Sequence, residues 1–207
     1  MKITILLLAL IFAIRLPAQT KADIFGNAPI TWLGLDLSHL KIIGKTANHD
    51  KAGIVTNDEL QAKYCGSWNR LFFDEKYKFN IAEAVHRNFV GYAMDITEAE
   101  NNKPHGAYFT GSAAEYQLLT EDSMGMFINR YDFKKNKGIG LLFFVEGMNK
   151  DKMEASMWAT FVDMGTKKVL LTRRITGLAG GAGFRNFWAR SFFNAICDMK
   201  AEFNSWQ

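Results

Sequence analysis

The chain has 207 residues, 48% of them hydrophobic, and carries 25 Lys and Arg against 21 Asp and Glu. That length and apolar content suffice for one domain with its own core. A near-balanced charge with no basic stripe excludes a dedicated nucleic-acid binder, which shows a strong basic excess.

The chain opens with Met1-Lys2, then an almost wholly apolar run from Ile3 to Ile14, broken by Arg15-Leu16-Pro17-Ala18. Basic start, apolar middle and small residue are the order of a secretory signal peptide. Ala18 and Ala22 are both candidate cut points, and the second has the better small-residue pattern, with Thr20 two places earlier. The apolar run is shorter than the roughly 20 residues a spanning helix needs. No cysteine lies near the cut, so no lipid anchor is expected. Residues 1–22 are thus expected as leader and 23–207 as one globular α/β domain, periplasmic or secreted, with no membrane span. The leader would remove Lys2 and Arg15 and no acid, leaving a nearly neutral chain.

"ITWLGLDLS" (30–38) alternates and predicts a first strand; "LKIIG" follows, then a polar loop from Lys45 to Gly53. Thr56 with Glu59 is a capping-box pattern. The helix it opens sets Leu60, Tyr64, Trp68, Leu71 and Phe72 on one face. Asn80 with Glu83 starts a second, short helix. "FVGYAMDIT" (89–97) reads as a strand and residues 98–112 as a polar loop. Another helix starts near Thr120 and turns Met124, Phe127, Ile128 and Tyr131 inward. "GIGLLFFVEGM" (138–148) is apolar on both faces, as a central strand must be. "ASMWATFVDM" and "KVLLTRRIT", joined by the glycine-bearing "MGTK", predict a hairpin. A final helix runs from Phe184 to Phe203. The order β-α-(α)-β-α-β-β-β-α predicts an α+β or three-layer α/β fold, with a mixed sheet of about five strands covered by helices. Cys65 and Cys197 are expected as unbridged core residues.

The strand–glycine–helix passage "LAGGAGFRNFW" (178–188) invites a phosphate-cradle reading. Asn186 stands where a dinucleotide loop has its third glycine, no second parallel strand follows, and the Lys-Ser/Thr of a Walker loop is absent. Free N–H groups at the helix start leave Gly181, Gly183, Arg185 and Asn186 as ligand-binding candidates. The plainer alternative is a tight corner in which glycine supplies positive φ. The four histidines show no helical zinc spacing, and neither cysteine lies near one. Folding could gather Asp36, His39 and His49, but no metal or cofactor is expected. Adjacent Ser38 and His39 on a strand would face opposite sides, which spoils a nucleophile–base couple. Glu146 reads as a strand-end carboxylate in water, and Asp163 as the cap of the hairpin turn. Asp36, His39 and Glu146 form the alternative, fold-assembled site; no catalytic set is otherwise visible.

"WLGLDLSHLKIIG", "GIGLLFFVEGMNKDKMEASMWATFVDMGTKKVLL" and "GGAGFRNFWARSFF" together resemble an uncharacterised family of secreted bacterial proteins. The order of elements also resembles the curli-secretion lipoproteins and the amino-terminal domain of TolB, periplasmic α/β modules of envelope assemblies. The chain departs from the former in lacking a lipidated cysteine, and from the latter in lacking a propeller. These resemblances imply a fold rather than a role. Two functions are expected: a non-enzymatic envelope or secreted module that binds a protein or small ligand, or a hydrolase built on Asp36, His39 and Glu146.

Overall fold

The structure, a computed structural model, describes residues 18–50 and 53–207. Residues 1–17, most of the expected leader, lie outside the described residues. In chain order the elements are α1 (Lys21–Phe25), β1 (Ile30–Asp36), β2 (Lys41–Ile43) and a small hairpin of β3 (His49–Asp50) and β4 (Gly53–Ile54). Then come α2 (Asn57–Glu59), a π-helical stretch (Leu60–Cys65), α3 (Gly66–Asp74), α4 (Ile81–Ala84), β5 (Gly91–Tyr92), α5 (Asp95–Asn101) and β6 (Phe109–Thr110). The last part holds α6 (Glu121–Ile128), β7 (Ile139–Asn149), β8 (Glu154–Asp163), β9 (Lys168–Leu178) and α7 (Phe184–Glu202).

Seven strands make one sheet around β7. One edge of β7 pairs antiparallel with β8 along its whole length, and β8 pairs with β9. The other edge takes two strands in series. β1 runs parallel to Ile139–Phe144, and β2 runs parallel to Gly147–Asn149. β5 extends the sheet outside β1, and β6 extends it outside β2. The parallel side is therefore one long strand interrupted at Leu37–Leu40.

Helices cover both faces. Along β7, Leu141, Phe143 and Val145 enter a core shared with α3, α4 and α7. Leu142 and Phe144 enter a second core with Ile96 of α5 and Met124 and Ile128 of α6. Every residue of β7 is buried, which is why its sequence is apolar without alternation. The fold is thus three-layer α/β, with seven strands where about five are expected; β5 and β6 have two residues each and leave little trace in the sequence.

The predicted helix after Thr56 forms, with Leu60, Tyr64, Trp68, Leu71 and Phe72 all buried. Thr56 and Asn80 each accept one N–H, from Glu59 and Glu83. The predicted strand at 89–97 is corrected: only Gly91–Tyr92 is extended, and Asp95–Asn101 is α5. The chain leaves β1's edge there because Ala93 N–H is the last to bond it, at Trp32 O (2.9 Å). Part of the predicted 45–53 loop is the β3–β4 hairpin. The cysteines are free, but only Cys65 is a core residue; Cys197 is exposed on α7. Burial pushes the Cys65 thiol up to about 12, so it remains protonated and inert.

α7 lies directly on the backbone of β9. A Cβ at Gly177 would sit 1.9 Å from the Ser191 carbonyl oxygen and 2.9 Å from Ala195 N. No rotamer relieves a clash with backbone, so α7 must be displaced. Gly177→Ala is expected to cost about 3 kcal/mol or more. That should lower Tm by roughly 6–12 °C. Trp188, fully buried on the same helix, should cost about 3–5 kcal/mol on truncation to alanine. Thermal melts check both; a shift of a degree or two for either would mean α7 does not dock as described.

Candidate functional site

The interruption of the parallel edge creates the site. Leu40 N–H donates to Leu37 O (3.1 Å), closing a tight turn with Ser38 and His39 at its tip. Ser38 N–H donates to Asp36 Oδ1 (2.7 Å), which starts that turn. Ser38 and His39 thus stand on a turn, where an alternating strand was expected. On β7, a bulge at Glu146 faces the same interruption. Bulges re-aim side chains and recur beside functional sites.

Among the described residues no strand pairs the outer edge of β1 beyond Trp32, and side chains take its place. Thr97 Oγ1 donates to Leu33 O (2.6 Å). Asn69 accepts from Leu35 N–H (2.7 Å) and donates to Leu35 O (3.0 Å). Asn101 accepts from Leu37 N–H (2.7 Å) and also donates to Leu35 O (2.9 Å). All three side chains are buried. Gly34 makes this possible: a Cβ there would lie 2.5 Å from Thr97 Oγ1 and 2.6 Å from Asn69 Oδ1.

Two adjoining clefts open at the interruption. One, of about 340 Å³, is lined by Ser38, His39, Lys41, His105, Tyr108, Phe127 and Glu146 among others. The other, of about 220 Å³, is lined by Asp36, Glu100, Lys103, Arg130 and Tyr131 and shares Ser38, His39, His105 and Phe127. The two histidines stand between them. The structure therefore gathers Asp36, His39 and Glu146 around one region. His49 lies elsewhere, beside Lys150 and Gly181–Phe184. Among the described residues no group of three or more His, Cys, Asp or Glu is placed to hold a metal ion.

The carboxylates are already engaged from inside. Asp36 accepts from the buried Tyr131 hydroxyl as well as Ser38 N–H. Burial first, then the Asp36 charge, holds the Tyr131 phenol well above its usual value, so it stays a donor. Glu146 corrects its expectation: it is 2% exposed, inside the strand and away from water. Its Oε1 accepts from Ser156 Oγ (2.7 Å) and Arg174 Nε (2.8 Å), and its Oε2 from Leu119 N–H (3.1 Å). Arg174 stacks 4.5 Å over the Trp158 ring and donates to Leu119 O (2.6 Å). The ion pair thereby fastens the loop that walls the larger cleft.

His39 is the reactive group left. Its Nδ1 lies 3.1 Å from Ser38 O. A carbonyl only accepts, so Nδ1 carries the proton and Nε2 the lone pair. Burial lowers its pKa, opposed by the Asp36 charge, so the ring is neutral near pH 7. It packs on Phe127 at 3.8 Å between centroids. His105 likewise uses one nitrogen on a carbonyl, Asn101 O (3.1 Å). The arrangement offers a neutral base, polar donors and an aromatic wall, with neither a placed nucleophile nor a free acid.

The glycine passage is a corner. Gly181 (φ 108°) and Gly183 (φ 78°) take conformations open to glycine. Gly180 N–H donates to Phe187 O (3.0 Å), and Trp68 Nε1 clasps Arg185 O (3.0 Å). Arg185 donates to its neighbour Asn186 Oδ1 (3.2 Å). Gly181, Arg185 and Asn186 share one cleft of about 490 Å³, and Gly183 meets the last two in another of about 370 Å³. No side chain caps α7, and no buried charged or amide side chain lines either cleft. Asn69, Thr97, Asn101 and Arg174 are not marked out by the sequence, and His105 is marked only as one of four histidines without zinc spacing. Asn69 had left a signal, as a poor helix former on an otherwise apolar face.

No family model, curated protein or solved structure matches the chain.

Two expectations test these assignments. Arg174→Met leaves the Glu146 carboxylate buried without its cation and should cost about 3–5 kcal/mol, whereas Arg174→Met with Glu146→Leu should recover much of it. Equal losses in single and double variants, by denaturant titration, would contradict the pairing. At the corner, Gly183→Val should damage folding, because a β-branched residue at positive φ is strongly disfavoured. Arg185→Ala should leave Tm within a degree or two; a large loss would show that the arginine holds the corner.

Proposed function

We propose that this protein is a non-enzymatic binding module, exported to the periplasm or beyond. Its site is the paired cleft at the β1–β2 interruption, and its ligand is small and polar. The carrying observation is that both oxygens of Asp36 and of Glu146 are engaged by internal donors. The cleft is left to bind through Ser38, His39, His105, Arg130 and the Phe127 wall. Among the described residues Arg130 makes no ion pair. The position agrees with ligand sites of open α/β sheets, which lie beyond the carboxyl ends of parallel strands.

Export rests on the basic–apolar–small order of residues 1–22. No helix of the described residues is long and apolar enough to cross a membrane. The resemblance to secreted bacterial proteins and to envelope modules supports the same setting. One observation favours the hydrolase as a second reading: a neutral histidine stands beside a carboxylate at a cleft. The missing nucleophile and the committed acids weigh against it.

A thermal-shift screen against sugars, amino acids, nucleosides and small carboxylic acids tests the proposal. A ligand at about 100 times its Kd should add about 2.7 kcal/mol, raising Tm by roughly 5–10 °C. His39→Ala and Arg130→Ala should abolish that shift, and Arg185→Ala should keep it. A shift lost only in Arg185→Ala would move the site to the corner. Ester or phosphoester turnover abolished by His39→Ala would establish the hydrolase instead.

A further inference from the structure

We propose that the exported domain begins at Gln19, and that the α-ammonium released there pairs with Asp163. The inference rests on the export reading above. Gln19 N donates to Asp163 Oδ2 (3.0 Å), across 144 residues of sequence. The other oxygen, Oδ1, is used by the hairpin turn, accepting from Gly165 N (2.8 Å) and Thr166 N (3.3 Å). Asp163 is 4% exposed. Burial pushes its carboxyl up, but the donors from Gln19, Gly165 and Thr166 outweigh this and hold it below its ordinary value. The buried carboxylate is thus charged, with one oxygen aimed at the nitrogen that a cut after Ala18 would turn into an ammonium.

The residues that follow are structural. Thr20 N and Oγ1 both donate to Asp23 Oδ2 (2.7 and 2.8 Å), which caps α1. Ile24 is fully buried, its carbonyl accepts from Arg87 (2.6 Å), and the Phe25 ring lies 5.1 Å from Phe203. A cut after Ala22, the site favoured by small-residue spacing alone, would split α1 and remove its cap together with Gln19. A cut after Ala18 keeps every one of these contacts, and Ala18 also stands closer to the end of the apolar run at Ile14. The step is hydrolysis by the exporting cell's leader peptidase. Water adds across the Ala18–Gln19 peptide bond, the carboxylate departs with the leader, and Gln19 keeps the amine. That amine is protonated at neutral pH, and a charge-assisted bond is stronger than the peptide N–H bond it replaces.

The test is the intact mass of the protein exported from the full-length chain in a Gram-negative host. A chain starting at Gln19 is expected. A start at Asp23, or at any other residue, overturns the boundary. An uncut chain overturns the export reading itself. A Gln19 start lighter by one ammonia marks a cyclised terminus, which overturns the ion pair. For the pair, Asp163→Asn retains a turn acceptor and removes the charge. It should lower Tm by about 3 °C more in the exported protein than in a domain made from Met-Ala18, where Gln19 N is a neutral peptide group. Equal losses in the two contexts overturn the pair.

Discussion

The structure depends on how the outer edge of β1 is satisfied. A buried strand edge with unpaired N–H and C=O groups is costly, and β5 covers only Thr31 and Trp32. Asn69, Thr97 and Asn101 supply the missing partners from two different helices. They act as a side-chain strand. Because they end the sheet there, the next segment need not be extended. The chain turns at Leu37–Leu40, resumes as β2, and leaves an opening beside β7. Gly34 is the complement of this device, since its missing side chain is the space that Thr97 and Asn69 occupy.

The second constraint is the Glu146–Arg174 pair. A buried charge is tolerated only with a partner and full hydrogen bonding, and Glu146 has both. The pair is a junction between elements. It ties β7, β8, β9 and the 117–119 loop at one point, opposite the β1–β2 turn. The cleft is thus framed on one side by amide side chains and on the other by an ion pair. His39 stays neutral because burial outweighs the nearby Asp36 carboxylate.

Much of the frame was legible in the sequence. The unbroken apolar run of β7 had no reading but a central strand. The Asp163–Gly165 turn signal lay between two strand-like runs, and the stripe of α7 had to be buried. The 89–101 region misled because "FVGY" carries the β-like residues, while α5 buries chiefly Ile96, Thr97 and Asn101 and so lacks an apolar stripe. The site is legible in its residue types but not in their partners. Asp36, His39 and Glu146 stand out by residue type, yet the donors that engage the two acids lie 95 and 28 residues away. No local pattern encodes such pairings. The glycine corner was more conspicuous than the cleft because positive φ is enforced locally, whereas the cleft comes from the absence of a strand.

The central claim is that side chains hold β1's edge where a strand is missing. Amide hydrogen exchange of Leu37 in the parent and in Asn101→Ala tests it most directly. The account predicts faster exchange at Leu37, on the order of ten-fold, as its acceptor is lost, while the amides of β7 and β8 keep their protection. Unchanged exchange at Leu37 would contradict it, because the edge would then be satisfied by something other than Asn101.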